Sequence, residues 1–124
     1  MKIKKIYVPI YDWSIWFVDC SDGNIGQKEK NAFSKLCKKI SVGSENKSEL
    51  EENVFSGCGG GDCYSQPAWQ RMIVMIGKMK SKNMRLKILN HEKRHAADNI
   101  LEWANIHDAE AAGFLDGYLS QFIK

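Results

Sequence analysis

The chain has 124 residues, of which 44% are hydrophobic and 27% charged, and its formal net charge is +3. This composition predicts one globular domain, residues 1–124, with a hydrophobic core, and excludes a disordered chain. The charge is too small to predict nucleic-acid binding, and no apolar run approaches the roughly 20 residues of a membrane-spanning helix. We expect no membrane partner, a cytoplasmic location and free thiols, because no signal-peptide pattern is present.

The first third of the chain predicts two strands and a helix. β-Branched and aromatic residues alternate loosely over residues 2–9 and 14–19, which indicates a hairpin or a closely joined strand pair. From residue 27 to residue 40, apolar residues recur at steps of three and four. This periodicity is typical of an amphipathic helix, whose polar face is here rich in lysine.

Residues 41–70 carry the weakest pattern. Residues 48–53 favour one or two helical turns. The glycine-rich stretch 57–63 predicts an irregular flexible loop, with a flap bordering a substrate site as the alternative. Its Cys58 and Cys63 are expected to be free thiols, since no second ligand pair is available to complete a structural zinc site. Residues 71–77 form a short apolar run that is typical of a buried strand.

The chemistry-bearing motif lies in residues 84–105, a glycine- and proline-free segment rich in strong helix formers. His91 and His95 are four residues apart, so on a helix they project from one face and can bind one tetrahedral zinc ion. Glu92 then lies beside the metal, where it can take a proton from a bound water.

A third metal ligand is expected from a second helix over residues 109–122, with Asp108 as its N-cap. If the two helices form an antiparallel hairpin, Glu110 in the first turn can reach the ion held by the histidines. His107 and Asp108 are alternatives for the same position. A carboxylate would complete the ligand set of a thermolysin-like site, with water in the fourth position.

Two further residues are candidates for supporting roles. Asp98 is close to two turns after His91 and could hold a ligand imidazole, with an ion pair to Arg94 as the alternative. Tyr118 lies on roughly the same helix face as Glu110 and could donate to an oxyanion, with core packing as the alternative.

The segment from residue 83 to residue 124 resembles minimal zincins of the gluzincin type, small metallopeptidase-like proteins found in phages and bacterial mobile elements. The resemblance is carried by His-Glu-x-x-His-Ala, a following Ile-Leu, a short loop, and then Asp-Ala-Glu-Ala-Ala-Gly-Phe-Leu-Asp-Gly-Tyr-Leu. It implies zinc on His91, His95 and Glu110, Glu92 as catalytic base, and a strand over residues 72–76 whose edge pairs with a peptide substrate.

The chain departs from that family at two places. Lys93 and Arg94 stand between Glu92 and the second histidine, where zincins usually carry uncharged residues, and they predict a helix less deeply buried on that side. Phe114 stands where larger gluzincins have an aspartate that supports a ligand histidine. Both departures bear more on peptidase activity than on metal binding.

These patterns predict an α+β fold. A small mixed or antiparallel sheet of about three strands would pack on an N-terminal helix and a C-terminal pair of helices. The predicted function is that of a zinc-dependent metallopeptidase acting on a peptide or protein substrate. One alternative is a catalytically inactive zincin-like domain that keeps the metal and acts as a protein-binding or inhibitory module. A basic nucleic-acid-associated protein with a coincidental motif is the other.

Overall fold

The computed structural model describes residues 1–56 and 60–124, and these residues form one mixed sheet with helices on both faces. The α+β class is therefore confirmed. The strands are β1 (Lys2–Val8), β2 (Trp13–Asp19), β3 (Gly61–Gln66) and β4 (Arg71–Ile76). The helices are α1 (Gln27–Lys39), α2 (Ser44–Phe55), α3 (Lys82–Trp103) and α4 (Ala109–Leu119), and a short 3-10 turn covers Pro67–Trp69.

The strand order across the sheet is β1-β2-β4-β3. β1 pairs with β2 and β3 pairs with β4 in antiparallel fashion, whereas β2 and β4 are parallel. The predicted strand over residues 72–76 exists as β4, but its predicted place at a free edge is wrong, because β4 lies between β2 and β3. The two edges of the sheet are β1 and β3.

β3 is a fourth strand that the sequence pattern did not indicate. Residues 61–63 belong to it, so the loop predicted over residues 57–63 is wrong for that part, and residues 57–59, including Cys58, lie outside the described residues. The strand contains a glycine and mostly polar residues, which disfavour strands in isolation. It forms because every one of its residues pairs with the strongly apolar β4.

The sheet has a hydrophobic core on each face. On one face, side chains such as Ile15 and Val74 pack with Ala96 and Ile100 of α3 and with Leu115 of α4. On the other face, the core is built with α1 and α2. α3 crosses over β4 and β3, which places one side of this helix beside the β3 edge. Within the described part of the chain, no helix is both long and apolar enough to cross a bilayer.

The start of α3 is anchored to the end of β2 by a partly buried ion pair. Arg85 Nη2 donates to Asp19 Oδ2 over 3.0 Å, and Ser21 donates its backbone N–H and its hydroxyl to Asp19 Oδ1. Burial on its own would raise the pKa of the Asp19 carboxyl, but the hydrogen bonds from Ser21 and Arg85 outweigh it and hold that pKa below its usual value.

We therefore expect Asp19→Asn to lower the free energy of unfolding at pH 7 by about 1 kcal/mol, a modest value because solvent still reaches the pair. Since the folded-state pKa is lowered, this stabilisation is present above the unfolded pKa and is lost as the pH falls below about 4. Urea denaturation of both proteins between pH 7 and pH 3 measures it. The difference should shrink toward acid pH, and a constant difference would contradict this account.

Candidate metal centre and cleft

The two histidines of the motif are brought together on α3, as their spacing predicts. Ser81 caps the helix by accepting a hydrogen bond from the Met84 N–H, and the helix continues without interruption through the motif. His91 Nε2 and His95 Nε2 are 2.9 Å apart, and the two ring planes are perpendicular. Two imidazoles on one tetrahedral zinc ion, each bonded at about 2.0–2.1 Å, have nitrogens roughly 3.3 Å apart. The observed separation is about 0.4 Å shorter and is that of a hydrogen bond between the two rings, so a shared ion would require a small separation of the imidazoles.

Glu92 lies between the histidines and the sheet. It is only 5% exposed. Together with both histidines, Glu92 lines a cleft of about 310 Å³ at the β3 edge, which we call the His cleft. Burial raises the pKa of the Glu92 carboxyl, His95 acts against this shift, and the neighbouring Asp62 carboxylate adds to it. A carboxyl with a raised pKa holds a proton more readily near neutral pH, which suits a group that must accept and return one.

The opposite wall of the His cleft is the beginning of β3. A Cβ atom added at Gly61 would lie 2.7 Å from Glu92 Cγ and 2.9 Å from the Met75 carbonyl oxygen, so only glycine allows this approach. Asp62 accepts a hydrogen bond from Asn53 of α2 over 2.8 Å and another from the Cys63 N–H. The wall is thus attached to α2 as well as to β4.

Cys63 and Asn99 complete the cleft. Burial raises the pKa of the Cys63 thiol to about 12, so the group stays protonated and is a poor metal ligand or nucleophile. Asn99 lies one turn beyond His95, and its Nδ2 donates to Ser65 Oγ over 2.9 Å, which ties α3 to β3. The helical spacing of 91, 95 and 99 could have identified Asn99. Nothing in residues 61–63 themselves indicates a strand, because they form one only by pairing with β4, which follows β3 after four residues.

Glu110, the predicted third ligand, is not brought to the His cleft. It lines a cavity between α4 and the β1–β2 turn, which includes Pro9 and Ile10. α4 lies along β1, where Tyr118 donates its hydroxyl to the Tyr7 carbonyl over 2.8 Å. Because β1 and β3 are opposite edges of the sheet, Glu110 and the histidines are on different sides of the molecule.

The predicted helical hairpin does form, but α4 packs on a different face of α3 from the one expected. Its Ala112 lines clefts together with Ala97 and Leu101 of α3. Ala97 and Leu101 lie on the same face of α3 as Lys93, because the three residues are spaced four apart. Lys93 is two residues from both His91 and His95, and residues two apart on a helix project roughly 200° apart around its axis. α4 is therefore turned away from the histidine pair.

Lys93 explains this packing. It is buried, and its Nζ donates to Ser120 Oγ over 2.7 Å and to Asn90 Oδ1 over 3.2 Å. Ser120 is the C-cap of α4, where a positive charge is favourable next to the unpaired carbonyl groups of the helix end. The prediction that this side of α3 is less buried is thus wrong for Lys93, while Arg94 is exposed.

The remaining candidates also lie outside the His cleft. Asp108 is confirmed as the N-cap of α4 and accepts from the Glu110 N–H, and His107 Nε2 contacts Asn105 Oδ1 over 3.2 Å. Asp98 lines the clefts between α3 and α4, and Tyr118 packs on β1. In residues 1–56 and 60–124, no three His, Cys, Asp or Glu side chains form a group able to hold a metal ion. Within these ranges the His pair could supply two ligands of a zinc site, and no third ligand lies beside it.

Comparisons of the chain with protein-family models, curated proteins and solved structures give no match. The gluzincin resemblance therefore remains a prediction from the motif itself.

Proposed function

We propose that the protein is a zinc-dependent metallopeptidase whose metal is bound by His91 and His95 and whose general base is Glu92. The observation that supports this proposal best is the 2.9 Å separation of the two Nε2 atoms, with the Glu92 carboxyl lining the same cleft. A zinc ion held there by His91 and His95 would supply Lewis acidity and lower the pKa of a water molecule toward 7. Glu92, which lines the same cleft, would accept a proton from that water and return it to the leaving amine.

The proposed substrate is an extended peptide lying along β3. This strand has six residues, and its outer edge has no strand partner among the described residues. The His cleft is followed, beyond Asn99, by a second hollow of about 410 Å³ bordered by Pro67 and Trp103. A peptide that adds a strand to this edge would pass the histidine pair, and its side chains would meet the two hollows in turn.

We place the protein in the cytoplasm. The described cysteines Cys20, Cys37 and Cys63 are all free, and Cys20 and Cys37 are buried in the core. Burial raises the pKa of Cys20 to about 12 and of Cys37 to about 11, so both thiols stay protonated. Free buried thiols are typical of proteins from reducing compartments.

An inactive, metal-binding interaction module is the second candidate. The position of Glu110 at the opposite edge of the sheet favours it, because hydrolytic zinc sites use three protein ligands and an open position. In this alternative the β3 edge binds a protein strand without cleaving it.

Metal analysis of the purified protein tests the proposal. We expect about one equivalent of zinc in the wild type and almost none in His95→Ala, because a single imidazole holds zinc weakly. His107→Ala is the matched control, since this histidine lies outside the His cleft, and it should bind zinc like the wild type. Wild-type protein without zinc, or equal zinc in His95→Ala, would contradict the proposal.

The same measurement on Glu110→Gln assigns the third ligand. Unchanged zinc is expected if α4 stays on β1 as the structure shows it. Loss of zinc in this variant would mean that α4 turns toward the His cleft when the metal binds.

A further inference from the structure

A second cavity lies on the far side of the molecule from the His cleft. It has a volume of about 690 Å³ and lies between the β1–β2 turn, residues 9–11, and the face of α4 that carries Phe114 and Gly117; we call it the α4 groove. Ile10 is 86% exposed and Phe114 is 80% exposed, and both line the groove. Two large, solvent-exposed apolar side chains beside an apolar groove are typical of an interaction surface.

The backbone of α4 is accessible along this groove. Gly113 and Gly117 are four residues apart, so they lie on one face of the helix. A Cβ atom added at either glycine would have nothing within 4 Å. A second helix can therefore approach this face closely, and Phe114 beside it provides a side chain that projects far enough to enter a facing groove.

The two ends of the α4 groove carry opposite charge. Asp108 and Glu110 are exposed at the beginning of α4. At the other end, exposed Lys4 of β1 donates to the Phe122 carbonyl over 3.2 Å, just beyond Gln121 of the groove. Consider two copies of the chain related by a two-fold axis that is perpendicular to α4 and passes near its middle. The acidic end of the α4 groove in each copy then faces the basic end of the groove in the other copy. A parallel arrangement would bring like charges together.

We propose that the α4 groove binds a second copy of this chain, giving a two-fold symmetric dimer. The two α4 helices cross in antiparallel orientation near Gly113 and Gly117, and Phe114 of each copy enters the groove of the other. Such an interface is isologous, which explains why one surface carries both the projecting side chains and the groove that accepts them. The β3 edge and the His cleft lie at the opposite edge of the sheet, so dimerisation leaves both cleft openings free.

Sedimentation equilibrium from about 1 µM to about 100 µM tests the dimer, with a chelator present so that zinc plays no part. We expect a dimer for the wild type in this range and an association at least about tenfold weaker for Phe114→Glu. Leu86→Glu is the matched control, because Leu86 is also exposed, at 57%, but lies on α3 outside the groove. It should associate like the wild type.

Charge reversal identifies the antiparallel arrangement. Lys4→Glu and Glu110→Lys should each weaken association, and the double variant should restore it, because each copy's residue 4 faces residue 110 of the other. Gly117→Leu should fold, since space around this position is open, and should also weaken association. A wild type that is monomeric throughout, an unchanged Phe114→Glu variant, or a double variant weaker than both single variants would overturn the proposal.

Discussion

Glu92→Gln is expected to abolish peptide hydrolysis while zinc stays bound. Glutamine has nearly the shape of glutamate, so it can occupy the same buried site against Gly61, but it cannot accept a proton from water. Loss of a general base typically lowers kcat by about 10²–10⁴-fold. The measurement is turnover of a set of unstructured peptides, with zinc content determined on the same samples.

The matched control for this change is Glu52→Gln. Glu52 is an exposed residue of α2 that does not line the His cleft, and its substitution removes the same charge from the protein. Its turnover should equal that of the wild type. Wild-type turnover in Glu92→Gln would exclude this residue as the base, and a wild type that binds zinc without hydrolysing any peptide would favour the interaction module.

Gly61→Ala is expected to lower the free energy of unfolding by about 2 kcal/mol, as is typical when a methyl group is forced into a filled space. Its Cβ would meet Glu92 Cγ at 2.7 Å, the Met75 carbonyl oxygen at 2.9 Å and a methyl group of Ile88 at 3.0 Å. The Met75 oxygen belongs to β4 and cannot yield without breaking strand pairing. Urea denaturation measures the loss.

Gly117→Ala is the matched control, because it adds the same methyl group where nothing lies within 4 Å. In the middle of a helix, alanine is more favourable than glycine by up to about 1 kcal/mol, so this variant should be more stable than the wild type. Both variants are compared at the same low protein concentration. An equal loss of stability at the two positions would show that the close contact at Gly61 is not the cause.

Elements whose signal is local were predictable from the sequence. The periodicities of residues 27–40 and 84–105, and the alternation of residues 2–9, correspond to α1, α3 and β1 within a few residues. α4 ends at Leu119, whereas the predicted helix ends at residue 122. The prediction was too long because the apolar pattern continues through Phe122 and Ile123, which lie in and just after a turn and not in the helix. A repeat of apolar residues does not distinguish these two conformations.

Elements and contacts that depend on residues outside the element itself were not predictable. β3 is specified by its partner β4, not by its own glycine and polar residues. The proximity of His91 and His95 was predictable because both belong to one turn of one helix, whose geometry determines the distance between them. The position of Glu110 depends on which face of α3 receives α4, and this face is marked by Lys93, a residue type that normally indicates exposure. A buried lysine paired with the end of another helix has no distinct sequence pattern.

Anomalous diffraction from a crystal of the zinc-loaded protein, recorded at the zinc absorption edge, would locate the ion itself. We expect one strong peak about 2.0–2.1 Å from both His91 Nε2 and His95 Nε2. A peak located elsewhere, or no peak between the two imidazoles at full zinc loading, would contradict this expectation.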